Sequence, residues 1–130
     1  MSFKEGVRAV CNRDKRYHPQ AYYIVRDALD FTQQMVADPE GGIPRHVKGS
    51  EILEGFRQFV LKEFGPMART VIESWGICKC RDVGNVVYNM IEEGVFNKTE
   101  EDSIEDFIEV YTFAEAFDEP FLPVSALRKK

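Results

Sequence analysis

Apolar residues recur every three or four positions along several parts of the chain, which is the spacing that amphipathic helices produce. The clearest case runs from Pro19 to Ala37, where two adjoining apolar stripes leave a single polar face. A wide apolar face of this kind indicates a helix that packs near the centre of the protein. The same periodicity predicts four further helices, over residues 2–11, 50–64, 67–75 and 82–93.

After Gly94 the pattern changes from helical spacing to short runs of β-branched and aromatic residues. Residues 95–97 and 107–111 have the composition of strands, and the polar, acidic residues between them are typical of a turn. The expected fold class is therefore mainly α with a small C-terminal β-hairpin. The order of the elements resembles a winged helix-turn-helix over residues 48–118, with residues 82–93 in the place of the recognition helix.

Proline and glycine divide the chain into regions. Two Pro and two Gly fall within residues 38–44, and such a concentration interrupts regular structure and predicts a linker. The length of 130 residues suits one domain. We therefore expect a single domain over 1–130, composed of a helical arm 1–37, a linker 38–47, the winged-helix-like part 48–118 and an irregular tail 119–130.

Charge argues against DNA binding through the expected recognition helix and wing. Residues 81–93 contain one basic and three acidic side chains, and residues 95–111 contain one basic and six acidic side chains. A DNA-binding face needs an excess of cations opposite the phosphates, whereas the whole chain has a net charge of −5. On the recognition helix, only Asn85 and Asn89 have side chains suited to reading bases.

The acidic hairpin suits a basic protein partner better than a nucleic acid. Its candidate contact consists of Glu100, Glu101 and Asp102, because carboxylates on a projecting hairpin can pair with cations of a partner. The alternative is an ordinary solvated loop.

A second candidate site lies at the start of the long helix. Residues 13–23, with Arg26 one turn further on, combine cations, a histidine and three tyrosines. Guanidinium groups bind carboxylate or phosphate in a forked geometry, and Tyr rings supply stacking area. The pattern predicts a surface for an anionic or peptide ligand, and the alternative is a helix start whose rings fill the edge of the core. The candidate binding residues are Arg16, Tyr17, His18, Tyr22, Tyr23 and Arg26.

The sequence offers no template for a metal, a cofactor or a catalytic centre. Cys78 and Cys80 have one residue between them, whereas zinc-binding pairs usually have two to four. His18 and His46 are the only histidines, and no Gly-rich phosphate loop or nucleophile motif is present. We expect no metal, no cofactor and no catalytic residue.

Cellular location follows from the cysteines and from the apolar runs. Three cysteines are an odd number and do not make a disulfide framework. The polar N-terminal residues lack the features of a signal peptide, and no apolar run reaches the length of a membrane helix. These features predict a soluble, cytoplasmic protein with no membrane contact.

Five groups of residues carry a resemblance to a known family. They are residues 16–23 (RYHPQAYY), 26–32 (RDALDFT), 65–71 (GPMARTV), 98–103 (KTEEDS) and 113–117 (FAEAF). Together they resemble an uncharacterised family of short bacterial proteins associated with planctomycetes and verrucomicrobia. The resemblance implies a bacterial, intracellular protein, and it carries no activity, cofactor or site residue over to this chain.

Three functional hypotheses follow. The first is a non-enzymatic protein-interaction or adaptor module with an unidentified protein partner. The second is a DNA-linked regulator on a winged-helix-like scaffold that uses the basic residues 13–26, although charge disfavours a nucleic acid. The third is a small enzyme of unknown chemistry with a pocket around Tyr17, His18 and Arg26. A homodimer is a further alternative for the partner.

Overall fold

A computed structural model describes residues 2–36, 48–95, 107 and 111–121. Its five α-helices are α1 (Phe3–Arg13), α2 (Pro19–Val36), α3 (Gly49–Phe64), α4 (Ala68–Ser74) and α5 (Cys80–Glu92). A 3-10 turn, Gly65–Met67, joins α3 to α4. A π-helical turn, Ala114–Asp118, and a 3-10 turn, Glu119–Phe121, complete the described elements.

Helix α2 lies at the centre of the fold, as its wide apolar face predicts. It packs most extensively against α3 and also contacts α1 and α5. The closest approach to α3 is at Gly55, where a Cβ atom would lie 1.8 Å from Oγ1 of the fully buried Thr32. All five helices contribute to the core, whose largest fully buried side chains include Val10, Tyr22, Leu53, Phe56, Ile72, Met90 and Phe117.

Several helix ends are where the local sequence predicts them. The Oγ of Ser2 accepts a hydrogen bond of 3.2 Å from the backbone N–H of Glu5, which satisfies one donor at the start of α1. Helix α2 begins at Pro19, whose missing N–H costs nothing at that position. Helix α3 ends before Gly65, whose φ of +54° is a conformation that favours glycine.

The expected mainly α fold with a C-terminal β-hairpin is wrong for the described part of the chain, which is all-helical and contains no strand. Val95 and Tyr111, at two ends of the expected hairpin, lie in bends, and Phe107 lies in a 3-10 turn. Residues 96–106 and 108–110 lie outside the described residues. The described structure therefore supplies helices but no wing.

The physical reason for this error is that β-branched and aromatic residues report burial as well as strand formation. Phe107 packs directly on α5, where a Cβ atom at Gly84 would lie 2.7 Å from its Cβ and Cγ atoms. The hydroxyl of Tyr111 donates a hydrogen bond of 2.7 Å to the carbonyl of Leu53 in α3. Phe107 and Tyr111 therefore pack against α5 and α3.

The described residues cover only part of the expected division of the chain. The linker 38–47 and residues 122–130 of the expected tail lie outside the described residues, whereas residues 119–121 form a 3-10 turn. In the described part of the chain, no helix combines the length and the apolar composition needed to cross a membrane.

Candidate functional site

The loop between α1 and α2 rests directly on the loop between α4 and α5. The backbone N–H of His18 donates a hydrogen bond of 3.0 Å to the carbonyl of Trp75. The next residue, Gly76, has a φ of +97°, and a Cβ atom there would lie 2.4 Å from the carbonyl oxygen of Arg16. Only glycine fits both the conformation and the close approach. The two loops are therefore held together at their backbones.

Tyr17 joins this loop to the first turn of α5. It is buried, and its hydroxyl donates a hydrogen bond of 2.6 Å to Oδ1 of Asp82 while accepting one of 2.9 Å from Nδ2 of Asn85. Burial, together with the bond to Asp82, raises the pKa of Tyr17 well above its ordinary value. The other carboxylate oxygen of Asp82 accepts from the backbone N–H groups of Cys78 and Lys79, which caps α5.

Tyr22, in the first turn of α2, makes a second connection to α5, one turn further along that helix at Asn89. Nδ2 of Asn89 lies 3.1 Å from the Tyr22 hydroxyl and 3.0 Å from Oδ2 of Asp14, and donates to both. Burial raises the pKa of Tyr22 to about 12. Hydrogen bonds from the Arg16 side chain, the shortest of 2.7 Å, hold the pKa of the Asp14 carboxyl well below its usual range.

These contacts assign two of the three tyrosines in the segment to the core. Tyr17 and Tyr22 are buried and bonded inside the protein, so they stabilise the fold and are not presented to a ligand. The same contacts bind Asn85 and Asn89 to tyrosines, although these were the two side chains on α5 suited to reading bases. Both asparagines are therefore engaged in hydrogen bonds within the protein.

Tyr23 and Arg26 are placed differently, on the outward side of α2. The Arg26 guanidinium lies over two rings, 4.6 Å from the centroid of Phe3 and 5.2 Å from that of Tyr23. The two rings meet edge to face at 5.2 Å. Arg26 also pairs with Asp27 at 3.2 Å and keeps 39% of its side chain exposed. We call Phe3, Tyr23 and Arg26 the stacked-arginine cluster.

Arg16 and His18 are both exposed on the α1–α2 loop. Arg16 forms a forked pair with Asp14 and lies 5.2 Å from the centroid of the Tyr17 ring. Nδ1 of His18 accepts a hydrogen bond of 3.0 Å from the backbone N–H of Gln20, at the start of α2.

The contacts of Tyr17, His18 and Arg26 do not bring these three side chains together around the expected pocket. Tyr17 is bonded to α5, His18 to the start of its own helix, and Arg26 to rings on the outward side. Among the described residues, no hydrogen bond, ion pair or ring contact joins these three side chains to one another.

Phe3 and Asp82 were not among the candidate residues, although both are central to the arrangement. Phe3 was predicted only as an apolar position of α1, because its contact with α2 depends on how the two helices pack. Asp82 carried a local signal, since an acidic residue three positions into a helix is a usual capping partner. Its bond to Tyr17 spans 65 residues and has no such signal.

The remaining candidate residues give limited information. Glu100, Glu101 and Asp102 lie outside the described residues. Cys78 is exposed, whereas Cys80 is buried and its thiol donates to the Tyr111 carbonyl at 3.3 Å. Within the described ranges, no group of three or more His, Cys, Asp or Glu side chains is arranged to hold a metal ion.

Comparisons of the chain with models of protein families, with curated proteins and with solved structures give no match. The resemblance to the family of short bacterial proteins therefore stays a prediction that rests on its five groups of residues.

Proposed function

We propose that this chain is a non-enzymatic protein-interaction module that binds its partner through the stacked-arginine cluster. The observation that carries the proposal is the position of Arg26, whose guanidinium lies over the rings of Phe3 and Tyr23 with 39% of its side chain exposed. Arg and Tyr are the residue types, with Trp, that contribute most to binding energy at protein interfaces.

Preorganisation supports the same conclusion. A long side chain that is ordered only on binding costs about 0.5–1.5 kcal/mol of conformational entropy. The two rings and Asp27 already hold Arg26 in one place, so a partner carboxylate or carbonyl would meet an ordered guanidinium. The rings add apolar area beside the charge, which suits a protein partner better than a small inorganic anion.

The buried tyrosines also support the proposal, because they hold the helix that carries the cluster. Tyr17 and Tyr22 fasten the start of α2 to α5, so the cluster lies on a braced helix. A rigid platform loses little freedom when a partner binds, and binding is correspondingly tighter.

The test is capture of the tagged protein's partners from its own cell lysate, with and without nuclease, followed by mass spectrometry. The variant is Arg26→Ala, and the matched control is Arg57→Ala. Arg57 is also half-exposed and paired within its own helix, to Glu54, but within the described structure it stacks on no ring. We expect a nuclease-resistant partner whose recovery falls about tenfold or more with Arg26→Ala, in the range of an interface hot spot, and persists with Arg57→Ala.

Equal recovery with both variants would contradict the assignment to the stacked-arginine cluster. Recovery that disappears on nuclease treatment would contradict a protein partner and favour the nucleic-acid hypothesis.

The acidic residues 100–102 provide a separate contact to test in the same experiment. If Glu100, Glu101 and Asp102 pair with cations of the partner, reversing their charge to Lys should weaken capture and raise its dependence on salt. Unchanged capture would exclude them from the interface.

A further inference from the structure

A group of exposed basic side chains surrounds the place where the two loops meet. Lys15, Arg16 and His18 are exposed on the α1–α2 loop, and Lys79 and Arg81 are exposed at the start of α5. The hydrogen bond from His18 to Trp75 and the bond from Tyr17 to Asp82 hold the two segments side by side. We call these five residues the joined-loop surface.

The positive charge of this surface is only partly neutralised. Arg16 is paired with Asp14, whereas Lys15, Lys79 and Arg81 make no ion pair with any described residue. Asp82 is the other carboxylate on these two segments, and its oxygens accept from Tyr17 and from the backbone of residues 78–79. Glu73 of α4, which also lies near Cys78, is paired with Arg69 and adds no net charge. Four cations against two carboxylates leave a local charge of about +2 in a chain of net charge −5.

We propose that the joined-loop surface binds an acidic segment of a partner protein. This inference rests on the proposed function and deepens it by naming the chemistry that the partner presents. The surface is preformed, because Gly76 lets the two backbones touch and the Tyr17–Asp82 bond fixes the start of α5. Complementary charge on a preformed surface gives specificity and a fast encounter.

The length of the basic surface favours a short peptide over a nucleic acid. Glu92 and Glu93 lie at the far end of α5, where both contact Arg13 of α1. They stand eleven or more residues after Arg81, which is about 17 Å along a helix. DNA carries one charge per about 1.7 Å of its axis, and a duplex aligned with α5 would extend past the cations onto these carboxylates. Four acidic residues in an extended peptide span about 13 Å.

The first experiment measures binding of a labelled synthetic peptide by fluorescence anisotropy at low salt. The peptide has about four consecutive glutamates between Gly and Ser, so its acidic part spans about 13 Å. The test variant is the double change Lys79→Glu and Arg81→Glu, which places acidic residues at the N-cap and in the first turn of α5, where they are favourable to the helix. The control, Lys4→Glu with Arg8→Glu, makes the same charge change at exposed positions of α1.

We expect the test variant to raise the Kd at least about fivefold, because each exposed ion pair contributes about 0.2–1 kcal/mol and reversal replaces attraction with repulsion. The control should change it less than about twofold, since α1 lies outside the surface and long-range charge is screened over about 10 Å. Added salt should weaken binding to the wild-type chain. Equal losses in both variants, no binding of the peptide, or tighter binding of a single-stranded oligonucleotide of equal charge would each overturn the inference.

The same variants separate this inference from the proposed function. A partner that is lost with Arg26→Ala but retained by the Lys79→Glu, Arg81→Glu variant, with no binding of the peptide, would leave the proposed function standing and overturn the acidic-segment inference. Peptide binding without a nuclease-resistant partner would contradict the proposed function and leave standing only the affinity of the joined-loop surface for acidic peptides. Binding that occurs only after Glu100, Glu101 and Asp102 are changed to Gln would assign the surface to the chain's own acidic residues and overturn an external partner.

Discussion

The Tyr17→Phe variant removes one oxygen atom and leaves the rest of the buried ring in place. That oxygen donates to Oδ1 of Asp82 at 2.6 Å and accepts from Nδ2 of Asn85 at 2.9 Å. The ring keeps its burial and its edge-to-face contact with Tyr22, at 6.5 Å between centroids. The change therefore tests the hydrogen bonds between the α1–α2 loop and α5 apart from apolar packing.

The expected cost follows from the groups that lose a partner. A hydrogen bond to a charged group contributes about 1.5–3 kcal/mol and a neutral one about 0.5–1.5 kcal/mol. Asp82 keeps two backbone donors, and the half-buried Asn85 can turn towards water, so neither group is left wholly unsatisfied. We expect a loss of about 2 kcal/mol in the free energy of unfolding. At about 2.1 cal/mol/K per residue, 130 residues convert this loss into a fall in Tm of about 7 °C.

Urea unfolding followed by tryptophan fluorescence and far-UV circular dichroism measures this loss. Trp75 is the only tryptophan and accepts the backbone bond from His18, so its emission reports on the junction itself. Tyr23→Phe is the matched control, because the Tyr23 hydroxyl makes no hydrogen bond to a described residue. A Tyr17→Phe variant within about 0.5 kcal/mol of this control, the usual range of neutral surface changes, would refute the reasoning.

Three further predictions concern the packing and the charge of the same scaffold. Gly55→Ala should lower the free energy of unfolding by about 1–3 kcal/mol through overpacking, because the new Cβ would meet Thr32. A double variant that combines Gly55→Ala with Thr32→Gly removes the group it meets, and should recover part of this loss in urea unfolding. Gly76→Ala should cost at least about 1–3 kcal/mol, since it combines backbone strain with a contact on the Arg16 carbonyl, and a Tm unchanged in scanning fluorimetry would contradict it. Asp14 has a pKa lowered by its bond to Arg16, so the stability it contributes is present above its unfolded pKa of about 4 and is lost as pH falls; Asp14→Asn should flatten the fall of Tm between about pH 5 and pH 2.

The helices could be predicted from the sequence because each has a periodic apolar face and local signals at its ends. In the structure Tyr22 is fully buried, whereas its neighbour Tyr23 is only partly buried. The hairpin was wrong because Phe107 and Tyr111 carry strand-like side chains that in fact pack on α5 and α3. The residue types predict that such side chains are buried, and only the tertiary packing decides which kind of secondary structure they adopt.

The candidate site could be predicted in part for a related reason. Tyr17 lies in a loop, where no periodicity tells an inward side chain from an outward one, and its partner Asp82 is distant in the sequence. The stacking of Arg26 depends on Phe3, which comes from another helix. Residue types predicted that the segment is rich in binding chemistry, which stays a prediction, and the division between buried and exposed members required the packing of α1, α2 and α5.

That division makes stability and binding separable within one segment. Tyr17 braces the loop beneath the joined-loop surface, whereas Arg26 lies over two rings that also contact each other. Loss of the Tyr17 hydroxyl should therefore lower stability and also weaken binding of the acidic peptide, because Lys79 and Arg81 lose their fixed relation to Lys15. Loss of the Arg26 guanidinium should weaken partner capture with a smaller loss of stability, of about 0.5–1 kcal/mol for stacking at a partly exposed site. The opposite assignment, in which Arg26 sets stability and Tyr17 does not, would require the fold to depend on the outward face of α2 instead of its junction with α5.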